Sequence, residues 1–250
     1  MLKILISGVL GQVGKKITDV CKKSDKYSVV CGVDRLTDGS DFPIFTDFES
    51  VNIIPDVIID FSNPSLLDGL LKFAIKNNVP CILATTGYSK EQIEKIKEAS
   101  KEIPVFFTAN MSLGINLLCS LVKKASAVLG DAFDVEIIEK HHNQKLDAPS
   151  GTALMLANAL NDVNDDKYYF EYDRHSKRAK RSDNEIGIHS VRGGTIVGEH
   201  DVIFAGKDEV LTLSHSAFSK EVFVSGALRA AEFIVDKTSG LYDMNDVLSL

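Results

Sequence analysis

The 250-residue sequence contains no tryptophan and only four cysteines. The cysteines are scattered, without a C-x-x-C pair, at Cys21, Cys31, Cys81 and Cys119. This scarcity argues against a disulfide framework and against a zinc site. Reduced thiols in the core of a cytoplasmic protein are the simpler interpretation, and we expect a cytoplasmic localisation.

Basic residues are also in deficit. The chain has 28 Lys and Arg against 35 Asp and Glu, which gives a net charge of −7 at pH 7. Because phosphate contacts require a basic surface, nucleic acid is not expected as a partner. One local exception, RHSKRAKR at Arg174–Arg181, is predicted to be a mobile, solvated surface segment.

Long apolar runs are the third absence. No apolar run approaches the ~20 residues that a membrane helix needs, so no membrane partner is expected. The opening residues, MLKILISG, lead directly into a predicted strand and contain no signal-peptide cleavage pattern.

The sequence does contain a glycine-rich turn between a predicted strand, KILISG, and a predicted helix. This loop, SGVLGQVG, places glycines at positions 8, 11 and 14. Such glycines allow a tight turn, close approach of the backbone to a pyrophosphate, and close packing of helix on strand. A glycine triplet alone is a weak signal, because loops are generally rich in glycine.

The context strengthens this signal. A second apolar run, YSVVCGVD, ends at Asp34, where a carboxylate can accept hydrogen bonds from ribose hydroxyls. A simple turn residue at the end of a strand is the alternative. Further apolar runs, DVIIDFS, CILATTG and PVFFTAN, each precede a helical pattern and predict a Rossmann-type, doubly wound parallel sheet. After about Asp131 the alternation stops, and β-rich stretches predict a second, α+β domain.

The polar stretch EKHHNQKLDAPSGTAL, Glu139–Leu154, carries most of the chemistry. A metal site is disfavoured, since adjacent His141 and His142 would point to opposite faces of a strand. A hydrolase is disfavoured by the lack of a G-x-S-x-G elbow. Ser150 is better explained as the N-cap of a helix whose free N–H groups bind carboxylates, and Lys145 adds positive charge. A site for an acidic substrate that is protonated during reaction is therefore favoured over a polar loop.

These residues resemble a known family. EKHHNQKLDAPSGTA is similar to the signature E-x-H-H-x-x-K-x-D-x-P-S-G-T-A of the 4-hydroxy-tetrahydrodipicolinate reductases, formerly called dihydrodipicolinate reductases. ATTGYS, TANMSLGIN and VRGGTIVGEHDVIFAG resemble further blocks of that family, in the same order. The resemblance covers nearly the whole chain.

The resemblance implies two domains and a reaction. A dinucleotide-binding domain is expected at residues 1–111 and 220–250, and an α+β domain with an open mixed sheet is expected at 112–219. The second domain would bind substrate and form a homotetramer through its sheet. The implied reaction is the NAD(P)H-dependent reduction of 4-hydroxy-tetrahydrodipicolinate, with loss of water, on the diaminopimelate route to lysine.

The resemblance also implies residue roles. His141 would be the catalytic acid/base, and Lys145 a second proton donor. The carboxylates of the substrate would be held by His142, Lys145, Ser150, Gly151 and Thr152. The dinucleotide would be held by Gly8, Val9, Leu10, Gly11, Gln12, Val13, Asp34, Arg35, Ala84, Thr85, Thr86, Thr108, Ala109, Asn110 and Met111.

Three positions depart from the family pattern. Gln12 stands where many members carry arginine, Ala84 replaces a frequent glycine, and Met111 replaces a frequent aromatic residue. Asp34 suits the free 2′-hydroxyl of NADH, whereas Arg35 can pair with the 2′-phosphate of NADPH. We therefore expect both NADH and NADPH to be used, with NADH at least as good, and no metal to be required.

Two other functions share parts of this pattern. A dehydrogenase of another amino dicarboxylate, such as aspartate, would share the glycine loop but need not carry the K-x-D-x-P-S-G-T run. A non-catalytic dinucleotide sensor or repressor would need a basic DNA-binding segment, and only Arg174–Arg181 could serve.

Overall fold

The computed structural model describes residues 1–37 and 40–249. The chain divides into two compact units, one formed by Met1–Ser112 with Glu221–Leu250 and the other by Leu113–Lys220. The dinucleotide and substrate roles expected of the two predicted domains stay predictions at this point.

The first unit is a parallel sheet whose strands alternate with helices. Its elements are β1 (Leu2–Ser7), α1 (Gln12–Lys22), β2 (Tyr27–Val33), β3 (Ile44–Phe45), β4 (Val57–Asp60), α2 (Leu67–Asn77), β5 (Cys81–Leu83), α3 (Lys90–Ala99), β6 (Pro104–Phe107), α6 (Glu221–Ile234), β12 (Gly240–Tyr242) and α7 (Met244–Leu248). The strand order is β12-β6-β5-β4-β1-β2-β3, and every pair is parallel. The chain proceeds outward from β1 in both directions, so the topological switch point lies between β1 and β4. Ligands of such sheets bind beyond the carboxyl ends of the strands at that point.

The apolar runs of the sequence became the central strands. The side chains of β4 and β5 are buried throughout, as is typical of parallel strands covered by helices on both faces. The core of this unit includes Leu5, Ile58, Leu70 and Val105. Strands β3 and β12 were not predicted, because strands of two and three residues are too short to show a periodicity.

The second unit is a mixed sheet with helices on one face. Its elements are α4 (Leu113–Leu129), β7 (Asp134–His141), α5 (Gly151–Asn161), β8 (Tyr169–Glu171), β9 (Glu185–Arg192), β10 (Gly198–Ala205) and β11 (Val210–Ala217). The order is β11-β10-β7-β9-β8; β10 is antiparallel to both its neighbours, and the other pairs are parallel. Leu118 of α4 and Leu156 of α5 share a core with Ile137, Ile186 and Val202 of the sheet. The predicted fold class, a Rossmann-type sheet with an α+β unit, is confirmed.

The prediction about apolar runs bears on one segment of the second unit. By length and composition alone, Leu113–Ala132 could cross a membrane, because it spans 20 residues and is rich in apolar side chains. Ile115, Leu118 and Val122 of this segment pack in the core of the second unit. The core helix of a soluble protein meets the same two criteria, so the observation is weak evidence for a membrane span.

The basic run Arg174–Arg181 is held at its ends. Arg181 is only 17% exposed and donates from Nε to Glu136 Oε1 (3.0 Å) and from Nη1 to Asp134 Oδ1 (2.7 Å). Arg174 pairs with Glu185, whereas residues 175–180 are exposed. The solvated character predicted for this segment therefore applies to its middle, and its last cation is part of the sheet's packing.

Candidate active site

The glycine loop that follows β1 is sterically restricted to glycine. Gly8 has a φ of +77°, and a Cβ there would lie 2.5 Å from the carbonyl oxygen of Phe61. A Cβ on Gly14 would lie 2.3 Å from the carbonyl oxygen of Gly8. Gly11 is the N-cap of α1 and has no side chain to cap the helix. The backbone N–H groups of the first turn of α1 therefore lie at the glycine loop. A backbone cradle of this kind binds phosphates.

A cavity of about 580 Å³ opens beyond β1 and β4, at the switch point of the sheet. It collects five of the predicted cofactor residues, Gly8, Leu10, Gly11, Asp34 and Arg35, together with Phe61, Ser62 and Asn63. Its size is that of a small-molecule site. The loop geometry and the cavity together fit a dinucleotide.

Asp34, which is predicted to bind the ribose, also holds the glycine loop in place. Asp34 accepts hydrogen bonds from the backbone N–H of Leu10 and of Arg35, each at 2.8 Å. Gln12 begins α1 and is exposed, and Arg35 is exposed beside Asp34. An acid and a neighbouring arginine therefore stand at the cavity where sequence analysis expected them.

Two predicted cofactor residues lie in the core instead. The side chain of Val9 packs against the backbone of Gly32, and Val9 is 2% exposed. Met111 is also 2% exposed. Any contact of these residues with a dinucleotide would have to come from backbone atoms. Val13 is half-buried in α1.

The loop after β5 is organised by a buried carboxylate, Asp60, which sequence analysis did not identify. Asp60 accepts hydrogen bonds from Thr85 Oγ1 (2.6 Å), from Tyr88 Oη (3.1 Å) and from the hydroxyl of Ser62. Burial raises the pKa of Asp60, and these donors oppose that effect. Ala84 donates its N–H to the carbonyl of Asp60 (3.0 Å), so the loop with the predicted cofactor residues Ala84 to Thr86 is fixed to the end of β4.

The remaining predicted cofactor residues occupy two loop segments. Thr86 and Ala109 are exposed. Thr108 Oγ1 contacts the carbonyl of Asn110 at 3.2 Å, and Asn110 Oδ1 accepts from the N–H of Ser112 at 2.9 Å. These contacts shape the turn that follows β6.

In the second unit, strand β7 changes from apolar to charged along one face. Residues 135, 137, 139 and 141 are buried in alternation, so they share the face that packs on the helices. Val135 and Ile137 belong to the core, but the next two positions on that face are Glu139 and His141. Two ionisable side chains are therefore buried on the same face of β7, next to the apolar core.

Glu139 has no exposed side-chain surface and is bound from three directions. Arg192, at the end of β9, donates to Oε1 (2.6 Å) and to Oε2 (2.8 Å). Ser150 donates its backbone N–H to Oε1 at 3.0 Å, and His141 Nδ1 lies 2.6 Å from Oε2. One carboxylate thus joins the predicted acid/base to the start of α5.

The charge states follow from these contacts. Burial disfavours the ionised form of Glu139, but hydrogen bonds from Arg192, Ser190, His141 and the Ser150 N–H outweigh it and lower the pKa to about 2. Burial lowers the pKa of His141, and Glu139 opposes that effect. An anion beside a partly desolvated imidazole is suited to a histidine that takes up and releases a proton.

Ser150 is the N-cap of α5, as predicted. Its Oγ accepts from the N–H of Ala153 at 3.1 Å and lies 2.9 Å from His200 Nε2. Burial, followed by the proximity of His141, lowers the pKa of His200 to about 4. A neutral His200 can accept the Ser150 hydroxyl proton, which leaves the Oγ lone pairs for the helix cap.

The predicted anion ligands surround the same helix start. Lys145 is paired with Asp147, with Nζ and Oδ1 2.8 Å apart. The hydrogen bond from Lys145 lowers the pKa of Asp147, against a smaller opposing effect of burial. Gly151 is the first residue of α5, and Thr152 follows it. His142 Nδ1 is buried and has no hydrogen-bond partner among the described residues.

Four residues of the sites were not predicted from the sequence: Glu139, Arg192, His200 and Asp60. The first three are in the segments EKHH and VRGGTIVGEH, but only strand register brings them together: His141 is opposite Arg192, and Glu139 is opposite His200. Among residues 1–37 and 40–249, no group of three or more His, Cys, Asp or Glu could hold a metal ion.

A glycine-loop parallel sheet joined to a unit with a buried acid/base pair is the organisation of a nucleotide-dependent oxidoreductase. Two family models narrow this class. The model described as "Dihydrodipicolinate reductase, N-terminus" matches residues 2–111, and the one described as "Dihydrodipicolinate reductase, C-terminus" matches residues 114–248. The chain belongs to the dihydrodipicolinate reductase family.

Individual relatives agree. A 4-hydroxy-tetrahydrodipicolinate reductase of Caldanaerobacter subterraneus subsp. tengcongensis is 53% identical over 99% of this chain and 98% of its own length. The dipicolinate-bound dihydrodipicolinate reductase structure from Paenisporosarcina sp. TG-14 superimposes with a TM-score of 0.80, at 26% identity and 97% coverage of each chain. An aspartate dehydrogenase structure from Thermotoga maritima has a TM-score of 0.54 at 15% identity over 95% of this chain and 98% of its own, and it shares the fold alone.

These matches confirm the predicted family and enzyme class. The protein is an NAD(P)H-dependent oxidoreductase of lysine biosynthesis through diaminopimelate, and its reaction is that of the 4-hydroxy-tetrahydrodipicolinate reductases.

Proposed function

We propose that His141 and Lys145 carry the proton chemistry of this reduction, on a substrate whose carboxylates bind at the start of α5. The observation that supports it best is the Glu139 carboxylate, which contacts both His141 Nδ1 and the N–H of Ser150. Acid/base group and anion-binding helix start are thus parts of one hydrogen-bonded cluster.

The chemistry divides between cofactor and protein. The dinucleotide, when bound, supplies the hydride. The N–H groups of Gly151 and Thr152 at the positive end of α5, together with Lys145 and His142, bind the carboxylates. His141 protonates the carbon next to the one that is reduced, and Lys145 acts as a second donor. Asp147 exchanges its hydrogen bond with Lys145 for one with solvent when a substrate carboxylate arrives.

A coupled assay tests the reaction directly. The upstream synthase generates the unstable substrate in situ, and NADH and NADPH oxidation is followed spectrophotometrically. We expect oxidation that depends on both the synthase product and this protein. Oxidation with aspartate-derived imine, and none with the synthase product, would favour the aspartate dehydrogenase alternative.

An inhibitor tests the anion site separately. A related reductase has been solved with dipicolinate bound, and we propose that dipicolinate competes with substrate here. Lys145→Ala should weaken dipicolinate binding by about 1.5–3 kcal/mol, the cost of a lost charge-assisted hydrogen bond. Lys140→Ala, which removes a lysine of the neighbouring strand β7, is the control. Equal inhibition of both variants would place the carboxylates elsewhere.

We further propose that both NADH and NADPH are used, with NADH at least as good. Asp34 lies at the cavity and opposes a 2′-phosphate, while Arg35 beside it favours one, and position 12 offers a neutral glutamine. Gln12→Arg should shift kcat/KM toward NADPH, and Asp34→Ala should do the same. A wild-type preference for NADPH above ~10-fold, about 1.4 kcal/mol, would contradict this balance of charges.

The assembly and compartment are proposals as well. Val191, Val210, Leu211 and Phe218 of the second unit are between 41% and 89% exposed. Apolar exposure of this extent fits the expected homotetramer through this unit, and light scattering on the purified protein tests it. The four cysteines are unpaired and buried, which fits a reducing cytoplasm. Nucleic acid and membrane remain unexpected partners.

A further inference from the structure

We propose that Glu139 is a positioning residue that keeps the proton of neutral His141 on Nδ1, so that Nε2 is the atom that exchanges protons with the substrate. The inference rests on the proposed function for its kinetic consequences. The tautomer itself can be measured without any turnover.

The Nδ1 side of the ring is fully engaged. Nδ1 lies 2.6 Å from Glu139 Oε2. Because Arg192 donates to both carboxylate oxygens and Ser150 donates to one of them, Glu139 is an anion that only accepts hydrogen bonds. A proton must therefore sit on Nδ1 whether His141 is neutral or charged.

The Nε2 side is kept open by a glycine. A Cβ at position 198, the first residue of β10, would lie 3.1 Å from His141 Nε2 and 3.5 Å from its Cδ2. Gly198 has no positive φ, so no backbone conformation demands glycine here. Its missing side chain leaves approach space at the one nitrogen that the carboxylate does not occupy.

The rest of the cluster holds Glu139 rather than the imidazole. Arg192 is opposite His141 in the β7–β9 pairing, and its Nη2 also donates to the carbonyl of Asp147 at 2.7 Å. Gly193 donates its N–H to the carbonyl of His141 at 2.9 Å. The end of β9 thus fixes both the carboxylate and the backbone of the acid/base.

The proton then follows one path. Charged His141 has protons on Nδ1 and Nε2. The Nε2–H bond breaks as the proton joins the substrate carbon, the electron pair stays on Nε2, and the Nδ1 proton remains between imidazole and Glu139. Solvent returns a proton to Nε2 after product leaves. Glu139 touches no reacting atom and undergoes no net change.

Nitrogen-15 NMR of histidine-labelled protein tests the tautomer. The His141 signal is identified among the 6 histidines by its absence in His141→Gln. At neutral pH we expect a protonated Nδ1 and an unprotonated Nε2. In Glu139→Gln the amide NH₂ faces Nδ1, so the proton should move to Nε2. A wild-type neutral ring with its proton on Nε2 would overturn the proposal, and this needs no variant to fold.

Glu136→Gln is the matched control, because Glu136 lies on the same strand and also contacts an arginine and a histidine. It should leave the tautomer of His141 and kcat unchanged. Glu139→Gln should lower kcat by ~10²-fold, the lower end of a general acid/base contribution, with little change in NADH binding. Unchanged kcat in folded Glu139→Gln would contradict the positioning role.

The pH profile separates positioning from simple structural support. The charged and titratable groups around His141 are Glu139 on its own strand, Arg192 on β9, His200 on β10 and Lys145 in the following loop. In the pH profile of kcat, one limb is assigned to the titration of His141. Because Glu139 raises the pKa of His141, loss of the Glu139 charge should move that limb to lower pH. Gly198→Ala should lower kcat while leaving that limb and the tautomer in place. If wild-type protein fails to turn over the synthase product, the proposed function fails, but the NMR result still decides the tautomer.

Discussion

Strand β7 carries two clusters of the same three residue types on its opposite faces. The inner cluster is Glu139, Arg192 and His141, and the outer cluster is Glu136, Arg181 and His189. In both, a carboxylate contacts a guanidinium and an imidazole. The glutamate side chain is unexposed in the inner cluster and 23% exposed in the outer one.

This difference in burial accompanies a difference in role between the two clusters. On the outer face, His189 is 45% exposed, and Arg181 also donates to the carbonyl of Val135 at 3.0 Å, so the cluster ties the basic run to the sheet. On the inner face, desolvation perturbs the imidazole, and the N–H of Ser150 joins the cluster to an anion-binding helix start. Residue type alone does not define an acid/base site; its depth and its connection to a ligand position do.

The largest expected effect follows from exchanging the histidines. His141→Gln should lower kcat by ~10²–10⁴, the usual range for loss of a general acid/base. His189→Gln, its counterpart on the outer face, should leave kcat near that of the wild type. The coupled assay measures both, with NADH binding as the check that His141→Gln is folded. Equal kcat values for the two variants would erase the distinction between the faces.

The second effect concerns ion pairs. Arg192→Met leaves the buried Glu139 without its cation, and removal of one partner from a buried pair costs about 3–5 kcal/mol. Lys140→Met on the outer face breaks contacts with Glu199 (3.0 Å) and Asp201 (3.4 Å), but these partners are solvated and the loss should be small. Urea unfolding at one fixed protein concentration compares the variants. A smaller loss for Arg192→Met than for Lys140→Met would contradict the assigned burial.

How much of this arrangement can be predicted depends on how far apart in the sequence the contacting residues are. The glycine loop, the strand-helix alternation and the run from Glu139 to Thr152 are local patterns, and the structure places Asp34, His141 and Ser150 where those patterns put them. Arg192 and His200 join the cluster through the register of β7 with β9 and β10, which no local pattern encodes.

The buried carboxylate Asp60 was missed for a related reason. DVIIDFS predicts a strand that ends in an acid, but its donors come from the next loop, at Thr85 and Tyr88. Similarly, the basic run was interpreted from its composition, whereas the anchoring of Arg181 depends on Glu136 and Asp134, more than forty positions earlier. Charge composition predicts solvation, but partners distant in sequence decide which cation is withdrawn from solvent.

The smallest effect is the acid sensitivity that one histidine of the inner face, His200, gives to the folded protein. His200 lies on the inner face of β10, 4% exposed, and its pKa is lowered from 6.5 to about 4. Between these values the unfolded chain binds a proton that the folded chain does not. The contribution of His200 is therefore fully present above the unfolded pKa and is lost as pH falls from about 6.5 toward 4.

From pH 7 to pH 5, linkage gives a loss of about 2 kcal/mol of unfolding free energy from His200 alone. Glu139 contributes little in this window, because its pKa moves from 4.5 to about 2, and its stabilisation is lost only at lower pH. His141 has a lowered pKa and acts in the same direction, so the measurement is the difference between wild type and His200→Gln, not the wild-type slope. Urea unfolding at pH 7 and pH 5, at one protein concentration, should show a smaller acid loss in His200→Gln. Identical losses in the two proteins would mean that His200 is protonated in the folded state at pH 5, and that the Ser150 cap does not depend on a neutral imidazole.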